Sequence, residues 1–412
     1  MAAARPAVLH RSLAWVSAGN VISKLLMFAA TIIVANRVRE AGFGALSVGF
    51  TIVNYISLFA FAGIDTVTTR EAAAAPAARL AEYTGQVLWL RAGVVVLALA
   101  LAWAAGSVLG GAAGWLTRLY ALSFVPQIIY PVNLFYGVEW SWPVTVYFVG
   151  GRVVYLGLIV LGVRGEADVH WVPLAFGAAI AVENTYLFVL WVRRYGCRLR
   201  GMWERLHWWR WRAALPVTLA AAGVLLHENA ALLAVYLACG AAEAGIYSAA
   251  YRLVYVAISL TQLCSYVYLA RFTRMSAEGG GAAGLYWRMQ GAALVLGWAM
   301  AMCGMAAAGP VVRLLYRAEY GASAGVLAWG IWQMALAPTR VVAFQTLTAY
   351  RAHGPLLRAI AAGVSASLAL IVAGTLWRGA AGAALGTVLG EAAVAALLGA
   401  AAFPVLCKNA NK

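Results

Sequence analysis

Leu13 to Ala35 is a predominantly apolar run, long enough to cross the hydrocarbon core of a bilayer as a helix, which takes about 20 residues. Eleven further runs of this kind follow. Spans are therefore expected at roughly 12–35, 44–65, 85–109, 116–138, 142–163, 171–192, 213–236, 246–270, 289–309, 323–346, 356–377 and 381–403. None shows the strict alternation of a membrane β-strand, so the expected fold class is an all-α polytopic membrane protein of about twelve helices. Composition agrees: 64% of residues are hydrophobic and 11% charged, an apolar excess that no globular core hides. Arg5 and Arg11 precede the first run as in a secretory signal. Its length, and Asn20 and Lys24 within it, make it the first span rather than a cleaved segment.

The net charge of +16 would suggest nucleic acid in a soluble chain. Here the basic residues fall between the apolar runs. With both termini inside, the inner segments hold 18 Lys and Arg, the outer loops 7 and the spans five, the bias that sets an N-in, C-in orientation. The most basic and aromatic stretch, 193–212, runs from Arg193 and Arg194 through Trp203, Trp208, Trp209 and Trp211 to Arg212. It reads as a cytoplasmic linker lying at the lipid headgroups. It divides an N-terminal lobe, 1–192, from a C-terminal lobe, 213–412, with no nucleic-acid partner. Cys197, Cys239, Cys264, Cys303 and Cys407 lack any metal or CxxC spacing and read as small hydrophobes.

The halves echo one another. Glu40-Ala41-Gly42-Phe43 after the first span matches Glu243-Ala244-Gly245-Ile246 after the seventh, 203 residues later. Six spans separate the two, which gives a parallel repeat: two six-helix lobes around a central cavity.

Function is expected where the chain accepts the largest penalty. A charge at mid-bilayer costs about 2.5–3.5 kcal/mol on the insertion scale, so Lys24, Arg91, Arg152, Arg252 and Arg340 should face a wet cavity or a partner. Snorkelling toward a span end is the ordinary explanation for Arg91, Arg252 and Arg340, and serves less well for Lys24 and Arg152. Ser17, Asn20, Lys24 and Thr31 share one helical face. The position 203 residues after Lys24 is His227, followed by Glu228 and Asn229. The eighth span carries Ser248, Tyr251, Arg252, Tyr255, Ser259, Gln262 and Tyr266, an aromatic stripe suited either to packing or to sugar rings. Glu183 and Glu391 sit near the middle of spans six and twelve. With Glu228, they are counter-ions to the cations or sites of proton or sodium coupling. No metal site and no cofactor is expected.

These residues resemble the polysaccharide-transport flippases that move O-antigen and exopolysaccharide repeat units. That family lies within the multidrug/oligosaccharidyl-lipid/polysaccharide exporter superfamily, alongside multidrug and toxin extrusion transporters and peptidoglycan lipid flippases. The resemblance lies in Asn20–Gly63 with its Glu40-Ala41-Gly42-Phe43-Gly44 turn, and in Ala244-Gly245-Ile246-Tyr247-Ser248-Ala249-Ala250-Tyr251-Arg252-Leu253. It continues in Leu314-Leu315-Tyr316 with Glu319, Tyr320 and Ala324, and in Gly379-Ala380-Ala381-Gly382-Ala383-Ala384 with Glu391. Arg317 departs from the glycine usual after the Leu-Leu-Tyr triplet.

The resemblance implies an inner-membrane transporter, not an enzyme, carrying an undecaprenyl-pyrophosphate-linked oligosaccharide, with a polysaccharide polymerase and a chain-length regulator as partners. Buried guanidinium groups suit a diphosphate because they bind its oxygens in a bidentate way. Lys24, Arg152 and Arg252, with Arg91 and Arg340, are the candidate diphosphate ligands. Asn20, His227, Asn229, Tyr251 and Tyr255 are the candidate sugar-facing groups. A drug antiporter of the same fold would want a net acidic cavity, and five cations oppose three deep carboxylates here. A membrane polymerase or glycosyltransferase would want a large outer loop or a DxD site, and the only aspartates are Asp65 and Asp168. A peptidoglycan lipid flippase usually has two more helices.

Overall fold

The computed structural model describes residues 6–199, 229–277, 282–350 and 352–410. Among them there is no strand. The helices are α1 (Pro6–Ala74), α2 (Leu80–Leu109), α3 (Gly111–Ala121), α4 (Val132–Gly137), α5 (Trp142–Gly162) and α6 (Trp171–Tyr195). They continue with α7 (Asn229–Cys239), α8 (Ala241–Ala277), α9 (Ala282–Leu315), α10 (Ser323–Gly330), α11 (Gln333–Ala349) and α12 (His353–Ala410). The chain forms two compact units, Met1–Ala222 and Gly223–Lys412. Most of the expected linker and the first two thirds of the expected seventh span, with His227 and Glu228, lie outside the described residues.

Six helical stretches are long and apolar enough to cross a membrane, and the protein is an all-α, multi-pass membrane protein. Two of these stretches hold two spans each. At 69 residues, α1 would be roughly 100 Å long if straight, over three times a hydrocarbon core. It breaks at Arg39 (φ 58°, ψ 177°). The sequence suggested a loop over 36–43; the turn is instead one residue, and the helix resumes at Glu40. Arg37 closes this corner, donating to the terminal carbonyls of α5 at Ile159 (3.2 Å), Val160 (2.9 Å) and Val163, where a cation also suits the helix dipole. Arg39 pairs with Glu166 at 3.2 Å.

α12 breaks at Arg378 and Gly379, and its two arms then pack antiparallel on bare backbone. Built Cβ atoms at Gly382, Gly386 and Gly390 would fall 1.9 Å from the Gly374 carbonyl oxygen, 2.5 Å from that of Leu370 and 2.0 Å from the Ser367 Oγ. Small residues one turn apart let the arms approach this closely. α2 and α3 repeat the device at Gly106 and Gly114, joined at Gly110 (φ 64°).

The fourth span is the main departure from the sequence reading, which took 116–138 as one helix. After α3 the backbone tightens into 3-10 geometry over Leu122–Ile129, is extended at Tyr130, and becomes helical again only at Val132. Pro126 and Pro131 each remove a backbone donor. Runs of 3-10 structure this long are uncommon and mark hinges or functional sites. At membrane depth such backbone persists only where the protein itself satisfies the freed carbonyls.

Candidate functional site

Two side chains satisfy the break in the fourth span. Asn184 of α6 donates to the Pro126 carbonyl at 2.7 Å, and Arg91 of α2 donates to that of Gln127 at 3.2 Å. Arg91 is fully buried. Its guanidinium also bonds Asp65, in the second arm of α1. It lies over the rings of Tyr130 (4.8 Å) and Phe61 (5.4 Å), a cation–π arrangement strengthened by desolvation. Snorkelling, the ordinary expectation for Arg91, does not occur. The residue is held inward by a carboxylate, a carbonyl and two ring faces. Asn133 of α4 sits beside Asp65.

From Tyr130 the network continues. Its ring meets Tyr147 of α5 edge-on at 6.3 Å, and the Tyr147 hydroxyl donates to Asn184 Oδ1 at 3.1 Å. Beside Tyr147 lies the buried carboxylate of Glu183. Its Oε2 stands 4.0 Å from Arg152 Nη1, and neither atom has a hydrogen-bond partner. Arg152 keeps 21% of its side chain exposed. The two pairs differ in kind: Arg91 is sealed and bonded through both terminal nitrogens, its Nε alone lacking a partner, whereas Arg152 is partly open and loosely held.

In the second unit, Arg340 of α11 bonds Glu391 of the second arm of α12. Glu391 is buried and Arg340 is 18% exposed. Tyr247 and Tyr251 of α8 stack at 5.6 Å and 14°. Arg252 is half-buried in the neighbourhood of Tyr316, whose hydroxyl donates to the Ala249 carbonyl at 3.2 Å. Tyr255 is exposed, and Asn229 is half-buried at the first described residue of α7.

Residues 9–276 match the family described as "Polysaccharide biosynthesis protein". The chain belongs to that family. No curated protein sequence matches it. Among solved structures it is similar to "Lipid II flippase MurJ, inward closed conformation", at TM-score 0.73 and 10% identity over 96% of this chain and 90% of that one. It is also similar to an inward-facing "multidrug resistance MATE family transporter of the MOP superfamily", at TM-score 0.78 and 14% identity over 94% and 96%. A third likeness is to a point mutant of the Vibrio cholerae MATE transporter VcmN, at TM-score 0.61 and 14% identity over 98% of each chain. At these identities the likeness is one of fold.

In this member of the polysaccharide biosynthesis family the expected site residues thus divide. Arg152 and Glu183 come together, as do Arg340 and Glu391. Arg91 joins a carboxylate, Asp65, that the sequence placed near a span end and left unassigned. Lys24 and Asn20 are exposed on α1, because the neighbouring Gly19 packs against Thr145 of α5 and turns them outward. Thr31 does not share their exposed face: it is buried and donates to the Met27 carbonyl at 2.8 Å. Asp65, Tyr130, Asn133, Tyr147 and Asn184 were not among the expected site residues. Pro126 and Pro131, five residues apart within one apolar run, were the available signal for the break that gathers them.

Proposed function

We propose that the protein is a flippase that carries undecaprenyl-pyrophosphate-linked oligosaccharide repeat units of a surface polymer across the inner membrane by alternating access. The observation that carries this reading is Arg152. It is an intramembrane guanidinium left partly open, paired at 4.0 Å with a carboxylate whose facing oxygen has no other partner. Such a group can engage a diphosphate in a bidentate way. Lys24 and Arg252, also accessible, complete the proposed cationic set, with Tyr251, Tyr255, Asn20 and Asn229 toward the sugars. Family membership supports polysaccharide chemistry, and the fold supports transport rather than catalysis. A polysaccharide polymerase and a chain-length regulator are the proposed partners. The charge bias supports a topology with both termini in the cytoplasm.

Multidrug transporters share the fold, so fold does not decide the substrate. The excess of cations over carboxylates within the membrane favours an anionic headgroup. The test deletes the gene and follows lipid-linked repeat units in each leaflet. Units should strand in the cytoplasmic leaflet, be released by the wild type, and remain stranded with Lys24→Ala, Arg152→Ala and Arg252→Ala combined. Units that reach the outer leaflet and stay unpolymerised would overturn the flippase reading.

A further inference from the structure

The cytoplasmic-side ends of α12's two arms, taken with both termini inside, enclose a groove of about 460 Å³, within the roughly 300–1,000 Å³ of small-molecule sites. Its first wall is Pro355, Arg358, Ala359 and Ala362, its second Leu397, Ala401, Pro404 and Val405. The alanines hollow it out. Pro404, inside the second arm, cannot donate to the Ala400 carbonyl, so one backbone hydrogen bond of the helix is missing there. Beneath lie Leu356, Val394, Leu398 and Leu406, a packed apolar floor.

Depth and charge identify the occupant. At the corner where the two arms meet, exposed Trp377 lies beneath the Arg378 guanidinium at 4.7 Å, an aromatic and cationic pair of the kind that marks a membrane interface. Arg358 stands about 20 residues from that corner, roughly 30 Å along the helix, which is the thickness of a hydrocarbon core. Arg358 therefore falls at the opposite interface, exposed and with no ion pair among the described residues. Ala362 and Leu397 lie deeper, within the acyl-chain region. An apolar slot that opens at headgroup depth beside an unpaired guanidinium has the chemistry of one lipid class. We infer that this groove binds an anionic phospholipid, its phosphate on Arg358 and an acyl chain between the arms.

The test is native mass spectrometry of the purified full-length protein, titrated with phosphatidylglycerol or phosphatidylcholine. The wild type should retain one more phosphatidylglycerol than phosphatidylcholine at equal concentration, with about a fivefold preference, because both lipids carry the phosphate but only phosphatidylglycerol keeps a net negative charge beside Arg358. Arg358→Gln should abolish that preference while both lipids still bind weakly. Ala362→Phe, an exposed position whose larger side chain fills the slot, should remove both. Unchanged preference in Arg358→Gln, or unchanged retention in Ala362→Phe, would overturn the site. Displacement of phosphatidylglycerol by equimolar polyprenyl diphosphate would overturn the choice of occupant.

Discussion

The carboxylate of Glu183 occupies the space that a side chain on Gly151 would take: a Cβ there would lie 1.6 Å from Glu183 Oε2 and 3.1 Å from Glu183 Cβ. Gly151 immediately precedes Arg152, so one turn of α5 supplies both the berth for the acid and the guanidinium facing it. Gly150, by contrast, has open space around it. Gly151→Ala should drive Glu183 from Arg152, lower stability by about 1–3 kcal/mol as overpacking does, and reduce repeat-unit flipping at least tenfold. Gly150→Ala should flip normally and be neutral or slightly stabilising, since alanine favours helix by about 0.5–1 kcal/mol. Thermal unfolding and a leaflet assay read both. Equal behaviour of the two variants would dismiss the berth.

Arg91 and Asp65 give an asymmetric prediction. Breaking a buried pair by removing one partner costs about 3–5 kcal/mol, because the other charge is stranded. Arg91 is fully buried, whereas Asp65 keeps 32% of its side chain exposed. Asp65→Ala, which strands the buried cation, should therefore destabilise more than Arg91→Met, which strands the half-wet anion. The double variant, Asp65→Leu with Arg91→Met, should recover much of the loss. Unfolding midpoints of the three variants in one detergent decide it, and the reverse order of the single variants would count against a sealed Arg91.

The spans were legible because a bilayer imposes a length on apolar runs, and residues such as Leu13 to Ala35 meet it directly. Helix ends were not, because apolar runs mark the hydrocarbon core and helices extend past it. α9, expected at 289–309, covers Ala282–Leu315. Of the site, the intramembrane charges were visible one at a time, since each is an expensive exception in its own run. Their pairing was not. Asp65 and Arg91 lie 26 residues apart on different helices, and Glu183 meets Arg152 only because Gly151 lacks a side chain. Such partnerships are properties of packing, and period and composition carry no record of them. The break in the fourth span lies between these cases. Pro126 and Pro131 stood in the sequence, while the carbonyls of Pro126 and Gln127 found Asn184 and Arg91 only in three dimensions.

Arg39 holds a conformation (φ 58°, ψ 177°) that Gly110 also adopts at its own hairpin (φ 64°, ψ −174°). For a residue with a Cβ this region is strained by about 1–3 kcal/mol. Its ion pair with Glu166 is exposed on both sides and returns about 0–1 kcal/mol. Arg39→Gly should therefore raise stability by about 1 kcal/mol, and Glu166→Gln should change it by less than about 1 kcal/mol. A lower unfolding midpoint for Arg39→Gly would mean that the ion pair outweighs the strain.

The glycines of α12 make the last prediction. Gly374 faces Gly382 and the Leu370 carbonyl faces Gly386, so these turns of the two arms meet with no side chain between; at Gly390 the Ser367 hydroxyl fills the space a Cβ would take. Helix propensity alone would reward Gly386→Ala by up to about 1 kcal/mol. Its Cβ would instead come 2.5 Å from the Leu370 carbonyl oxygen and 2.8 Å from the Ile371 Cα, and backbone has no rotamer by which to move aside. Gly386→Ala should lower stability by about 1–3 kcal/mol. Gly291→Ala in α9, where nothing lies within 4 Å, should be neutral or stabilising. Opposite signs for one chemical change at two helical glycines of the same unit would show close backbone approach, rather than glycine's flexibility, to be what α12 uses. A stabilised Gly386→Ala would show that the arms can separate without loss.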